Sequence, residues 1–235
     1  MKIHSTFLTL LLILSTGWAP AQAQTLTIST NNTPMDRRVL EQVSREAFRR
    51  IGVDFKLLSL PSERSLHSAN QGEVDGEGLR VAGLSGQYPQ LLQVPESYTR
   101  ISFVAFSSDP AIDLSRGWES LKPHSVVFIT GWKMFEAHAS GARVVNKVDT
   151  PEQVFRMLQS GRVDLALYTQ ADGLALVKSM GFSSVALLSP PLQEVDMYLY
   201  LNQKHRALVP KLSQALRDMK ADGSYRRILS NTNLP

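Results

Sequence analysis

Two stretches of the chain, Leu26 to Val81 and Ser125 to Met180, each alternate short strand-like runs with longer runs of helical period. This alternation restricts the fold more than any other feature. Strands separated by helices pair in parallel, with helices packed on the sheet faces and ligands bound beyond the strands' carboxyl ends. In the first stretch Leu26-Thr27-Ile28-Ser29-Thr30 alternates apolar and polar residues, as a half-buried strand does. Thr33-Pro34-Met35-Asp36 then opens a helix, with Thr33 as N-cap, Pro34 at the first helical position and Asp36 where its charge meets the helix dipole. Met35, Val39, Val43, Ala47 and Ile51 recur every four residues as the buried stripe, and Gly52 is placed to end the helix. Phe55 to Leu58 reads as a second strand. Pro61 to Gly72 reads as a helix carrying Arg64, Leu66 and Ala69, and Val74 to Val81 as a third strand.

The second stretch repeats the pattern. Ser125 to Thr130 is a strand, Gly131 opens a helix, and Arg143 to Val148 is another strand. In Thr150-Pro151-Glu152-Gln153 the threonine and glutamine have capping-box spacing at the head of a helix that runs to Gly161. Val163 to Tyr168 forms a strand, and Ala171 to Met180 a helix stopped by Gly181. After Pro190-Pro191, Val195 to Leu201 alternates as an extended run, and Pro210 to Lys220 is a helix burying Leu212, Leu216 and Met219. The link Ser107 to Gly117 is short, so the two units read as lobes of one body rather than independent domains.

The beginning of the chain reads as an address. Met1-Lys2 is basic, Phe7 to Leu14 is apolar but too short to span a bilayer, and Ala21-Gln22-Ala23 fits a small-x-small cleavage site. A signal peptide over 1–23 and a mature chain from Gln24 are expected. With no cysteine there is no acylation site, disulfide or thiolate chemistry, and a soluble periplasmic protein is the natural reading. The core must then hold unaided, which 43% hydrophobic residues allow. The net charge of +4 is scattered: Arg37, Arg38, Arg49 and Arg50 alternate with Glu41 and Glu46, a solvated helix face rather than a nucleic-acid footprint.

Glu77 and Arg80 stand inside the third strand, where charges are paired or face a cleft. The segment around them, Gly72 to Tyr98, resembles the first lobe of bacterial periplasmic solute-binding proteins of the amino-acid-binding type (family 3 of the ABC-transporter substrate-binding proteins). The resemblance continues through Trp118-Glu119-Ser120-Leu121-Lys122, Thr130-Gly131-Trp132-Lys133, Gly161-Arg162-Val163-Asp164 and Asp222-Gly223-Ser224-Tyr225. Each motif is weak alone; their order and spacing cover nearly the whole mature chain.

The resemblance implies an α/β fold of the type II periplasmic-binding-protein class, two lobes with a hinge and an interlobe cleft. Lobe 1 would comprise 24–103 plus 195–235 and lobe 2 104–194, with Ile101–Phe106 and Val195–Leu201 as the hinge. It implies capture of a small polar ligand for an ABC permease or a membrane sensor, by a monomer needing no cofactor. Two departures stand out. The family's carboxylate-clamping arginine falls in Gln87-Tyr88-Pro89-Gln90, and its amino-binding aspartate falls at Thr169.

Arg80, where the family has a cleft-lining serine, is the candidate replacement for the anion clamp, because a guanidinium grips a carboxylate or phosphate with two parallel bonds. The ligand is therefore expected to be anionic. The competing reading is an internal pair of Arg80 with Glu77 or Asp75. Glu77, three residues earlier, points to the other face of a regular strand and is expected to pair with Arg64 or to contact the ligand. In the turn at Thr130, Gly131, Trp132 and Lys133, amides at a helix start and an indole face could hold an anion. Arg64, on the helix after the second strand and near enough to reach the cleft floor, completes the candidate set with Tyr98, Tyr168 and Thr169. His67, His124, His138 and His205 lack metal-ligand spacing, and no nucleophile elbow or P-loop is present. The rival readings are a dehydratase-like periplasmic enzyme and a sensory partner on the same scaffold.

Overall fold

The computed structural model describes residues 24–31 and 33–232; the expected signal peptide lies outside them. The first unit runs β1 (Thr25–Thr30), α1 (Pro34–Arg50), β2 (Asp54–Ser59), α2 (Ser62–Gln71), β3 (Gly76–Arg80) and β4 (Leu91–Gln93). The long strand β5 (Thr99–Ser107) leads to the second unit: β6 (Ser125–Ile129), α3 (Lys133–His138), β7 (Val144–Val148), α4 (Pro151–Gln159), β8 (Leu165–Thr169), α5 (Gln170–Met180) and β9 (Ala186–Leu187). The chain returns through β10 (Gln193–Asn202) to α6 (Val209–Ala221) and α7 (Ser224–Asn231). The last helix follows the Asp222-Gly223 turn and was not expected from the sequence.

The strands form one sheet in the order β2-β1-β3-β10-β5-β8-β6-β7, with β4 alongside β10 and β9 alongside β5. Pairing is parallel within β2-β1-β3 and within β8-β6-β7. Antiparallel β10 and β5 lie between the two parallel groups. Gln193–Met197 of β10 pairs with β5, and Tyr198–Asn202 pairs with β3 and β4. The two strands expected as the hinge are thus the two that join the halves.

Local chemistry explains the elements. Leu26 and Ile28 of β1 are fully buried in one core cluster with Val39, Leu40 and Val43 of α1. Thr150 and Gln153 form the reciprocal capping box on α4. Two aspartates hold the two halves in the same way: Asp75 accepts the Thr27 amide (2.8 Å) and Asp164 the Ser125 amide (2.7 Å). One expectation changes. Thr33 stands at the N-cap of α1, but its hydroxyl donates to Asn31 Oδ1 (2.7 Å) instead of capping the helix. The cap comes from the other half: the Met35 and Asp36 amides donate to the two Asp172 oxygens at 2.8 and 3.0 Å.

Candidate functional site

β3 is where the backbone departs from a regular strand. Leu79 has φ +56°, a left-handed conformation uncommon for a residue with a Cβ, and its amide donates to the Tyr98 hydroxyl (2.6 Å). Opposite it the register with β10 shifts between Tyr198 and Tyr200. The irregularity cancels the alternation of faces, so Glu77 and Arg80 meet. Glu77 therefore pairs with Arg80, contrary to the expected Arg64 partner. Arg80 Nε donates to Glu77 Oε1 (2.6 Å), Nη1 to Ser62 Oγ (2.8 Å) and Nη2 to the Ser62 carbonyl (2.9 Å). Glu77 is fully buried and also accepts from Ser29 Oγ (2.5 Å) and Ser65 Oγ. Burial raises its pKa, against the opposing pull of Arg80 and the two hydroxyls. Arg64 is exposed on α2 and has no side-chain hydrogen bond or ion pair among the described residues.

Arg80 also borders a cavity of about 30 Å³ at the carboxyl ends of β1, β3 and β8. Its polar wall is Asn31, Thr33, Asp36 and Arg80 from the first half, with Lys133 and Thr169 from the second. The apolar wall includes Leu79, Ile101, Phe103, Trp132 and Met197. A space of this size takes a water or two, so a ligand of amino-acid size enters only if the halves part. Asn31 and Trp132 also border an adjoining opening of about 340 Å³, edged by Ser62, Asp149 and Glu152.

The halves touch through polar contacts beside this cavity. Lys133 Nζ lies 2.8 Å from Glu63 and 2.9 Å from Glu136, and Glu63 accepts the Tyr88 hydroxyl (2.8 Å). Desolvation opposes the charges here, but the ion pairs prevail: Glu63 and Glu136 are held below the usual carboxylate range and Lys133 above the usual amine range. Ser62 Oγ donates to the Gly131 carbonyl (3.1 Å), and a Cβ on Gly131 would stand 2.7 Å from the Glu63 nitrogen. Glycine is required there by the close approach and by φ +82°.

Of the expected site residues, Arg80, Trp132, Lys133 and Thr169 border the cavity. Gly131 forms the contact between halves, but its amide donates to Glu136 Oε1 (3.2 Å) and is already engaged. Thr130 donates to the Val148 carbonyl (3.2 Å). Tyr98 and Tyr168 are core aromatics. The first fixes Leu79, and the second packs 4.7 Å from the Trp132 ring, a contact that sets the indole against the cavity. The sequence reading missed Asp36, Ser62, Glu63 and Asp172. Asp36 and Ser62 were hidden as helix-start residues, and only the chain's folding brings Asp172 to α1. Among the described residues, no group of three or more His, Cys, Asp or Glu could hold a metal ion.

No protein-family model matches the chain. An uncharacterized protein of Shewanella oneidensis is 22% identical over 199 residues, 80% of this chain and 73% of its own length. Among solved structures, an ancestral arginine-binding protein bound to arginine superposes with TM-score 0.73 at 20% identity, covering 89% of this chain and 98% of its own. A histidine kinase sensor domain with similarity to periplasmic binding proteins reaches 0.76 at 17% identity (90% and 96%). The GluR0 ligand-binding core from Nostoc punctiforme, in complex with L-glutamate, reaches 0.71 at 15% identity (89% and 100%). The chain has the mixed α/β fold of the periplasmic binding proteins.

Proposed function

We propose that this protein is a periplasmic solute-binding protein of the amino-acid-binding type that captures a small polar ligand between two lobes. The observation that carries the reading is the cavity at the strands' carboxyl ends, with Arg80 and Asp36 supplied by one half and Lys133, Trp132 and Thr169 by the other. A ligand touching both sets gains its full energy only when the lobes close, so binding shifts the population towards the closed form. The lobes divide at 103/104 and 194/195, inside β5 and β10, where bending two continuous strands opens the cleft. An anionic group on the ligand would lie beside Arg80, whose guanidinium is otherwise held by Glu77 and Ser62. An ABC permease or a membrane sensor would then read the closed form, in keeping with the fold shared with transport proteins and a kinase sensor domain.

The test is to recover the protein from an osmotic-shock fraction, release its ligand and identify it by mass spectrometry. A small polar solute whose return raises the melting temperature and compacts the protein in solution scattering is the expected result. Protein retained in the cytoplasm with Met1 intact would overturn the reading.

A further inference from the structure

Two polar side chains on the cavity wall stand near one another across the cleft, yet neither has a well-aligned hydrogen-bond partner among the described residues. Asp36 Oδ2 and Thr169 Oγ are buried and have no hydrogen-bond partner among the described residues. Asp36 is 6% exposed and Thr169 3%, and both border the same cavity from opposite halves. A buried acceptor left unpaired costs free energy that a donor placed in the cavity would recover.

The surrounding charges decide what kind of donor fits. Arg80 faces Glu77, and Lys133 lies between Glu63 and Glu136, so each cation on the wall already has a carboxylate. Asp36 has no cation within ion-pair distance among the described residues. Its nearest charged neighbour of known contact is another acid, Asp172, whose carboxylate receives the Asp36 amide. Exposed Asp149 and Glu152 edge the adjoining opening, an arrangement that draws cations towards the cleft. The other groups acting on this pair are the Thr169 hydroxyl, which favours ionised Asp36, Arg38, which favours ionised Asp172, and the Tyr98 and Tyr168 rings, which border it without supplying charge; the two carboxyls also act on each other directly.

We infer that Asp36, with the Thr169 hydroxyl, is the anchor for a protonated amine on the ligand, with Ile101, Phe103, Trp132 and Met197 receiving a compact apolar body. An ammonium there donates one hydrogen to Asp36 Oδ2 and another to Thr169 Oγ, bridging the halves and so favouring closure. Asp36 thereby supplies, from the opposite half, the carboxylate that position 169 lacks. Burial and the Asp172 charge raise the Asp36 pKa, the strain that a bound cation relieves.

This inference rests on the cleft being the ligand site, and the experiment separates the two. Calorimetry on the purified protein compares L-norvaline with its deaminated counterpart valerate and its decarboxylated counterpart butylamine, with a panel of sugars and inorganic oxyanions alongside. Norvaline is expected to bind at least tenfold more tightly than valerate, and butylamine to bind measurably. Asp36→Asn should remove at least tenfold of the norvaline affinity while leaving the melting temperature unchanged or higher, and Thr169→Val should remove several-fold. Valerate, sugar or oxyanion binding without any amine advantage would overturn the amine anchor and leave the cleft reading standing, as would norvaline binding untouched by both substitutions. Silence across the whole panel would overturn both.

Discussion

Arg80 and Asp36 border the same cavity and are almost equally buried, 4% and 6% exposed, yet the protein treats their charges in opposite ways. Arg80 is matched by a carboxylate, a hydroxyl and a carbonyl, all from its own half. Asp36 has an orphaned oxygen and a second acid for company. A buried charge that is paired belongs to the framework; one left unpaired lowers stability and is where a ligand has most to contribute. The arginine that dominates the sequence reading is thus held largely by structure, and the aspartate that looked like helix-start grammar faces the cleft.

The largest effect should come from breaking the paired side. Arg80→Ala strands the fully buried Glu77 without its cation, and a loss of about 3–5 kcal/mol is expected on thermal or urea unfolding. Unchanged stability would show that Arg80 is free for a ligand after all. Arg80→Lys, which retains a charge for Glu77 but not the fork, should lose less.

Gly131→Ala tests the contact between halves. The added Cβ meets the Glu63 backbone, and the left-handed φ disfavours any side chain. A stability loss of about 1 kcal/mol is expected from the backbone alone, with a larger loss of ligand affinity because the halves can no longer approach. Equal affinity in calorimetry would mean that the contact is not used in the bound form.

The pH dependence sharpens the unpaired side. Asp36 and Asp172 have raised pKa values in the folded protein, so the folded state holds protons that the unfolded chain releases above ~3.9. Their contribution to stability therefore falls as pH rises from that value through the raised folded pKa. Glu63 and Glu136, held low, act with the opposite sign at acid pH. The difference in melting temperature between Asp36→Asn and the unsubstituted protein isolates Asp36: the variant should gain relative stability as pH rises towards neutral. A flat difference would show that Asp36 keeps an ordinary pKa. Smallest of all, Arg64→Ala should change stability by no more than about 0.5 kcal/mol, as exposed substitutions do. It should also leave binding unchanged; a large loss of affinity would restore Arg64 to the site.

The sequence by itself determined every strand but the short β4 and β9, most helix starts and the twofold use of the unit, because these rest on local rules. Period, caps and glycine stops act within a few residues. Hence α4 begins at its capping box. Only the tertiary structure decided the site. The Leu79 conformation turns Glu77 towards Arg80, and the capping of α1 belongs to Asp172, 136 residues from the Asp36 amide it accepts. Whether a buried charge is paired depends on which side chains long-range folding brings beside it, and no local pattern carries that information.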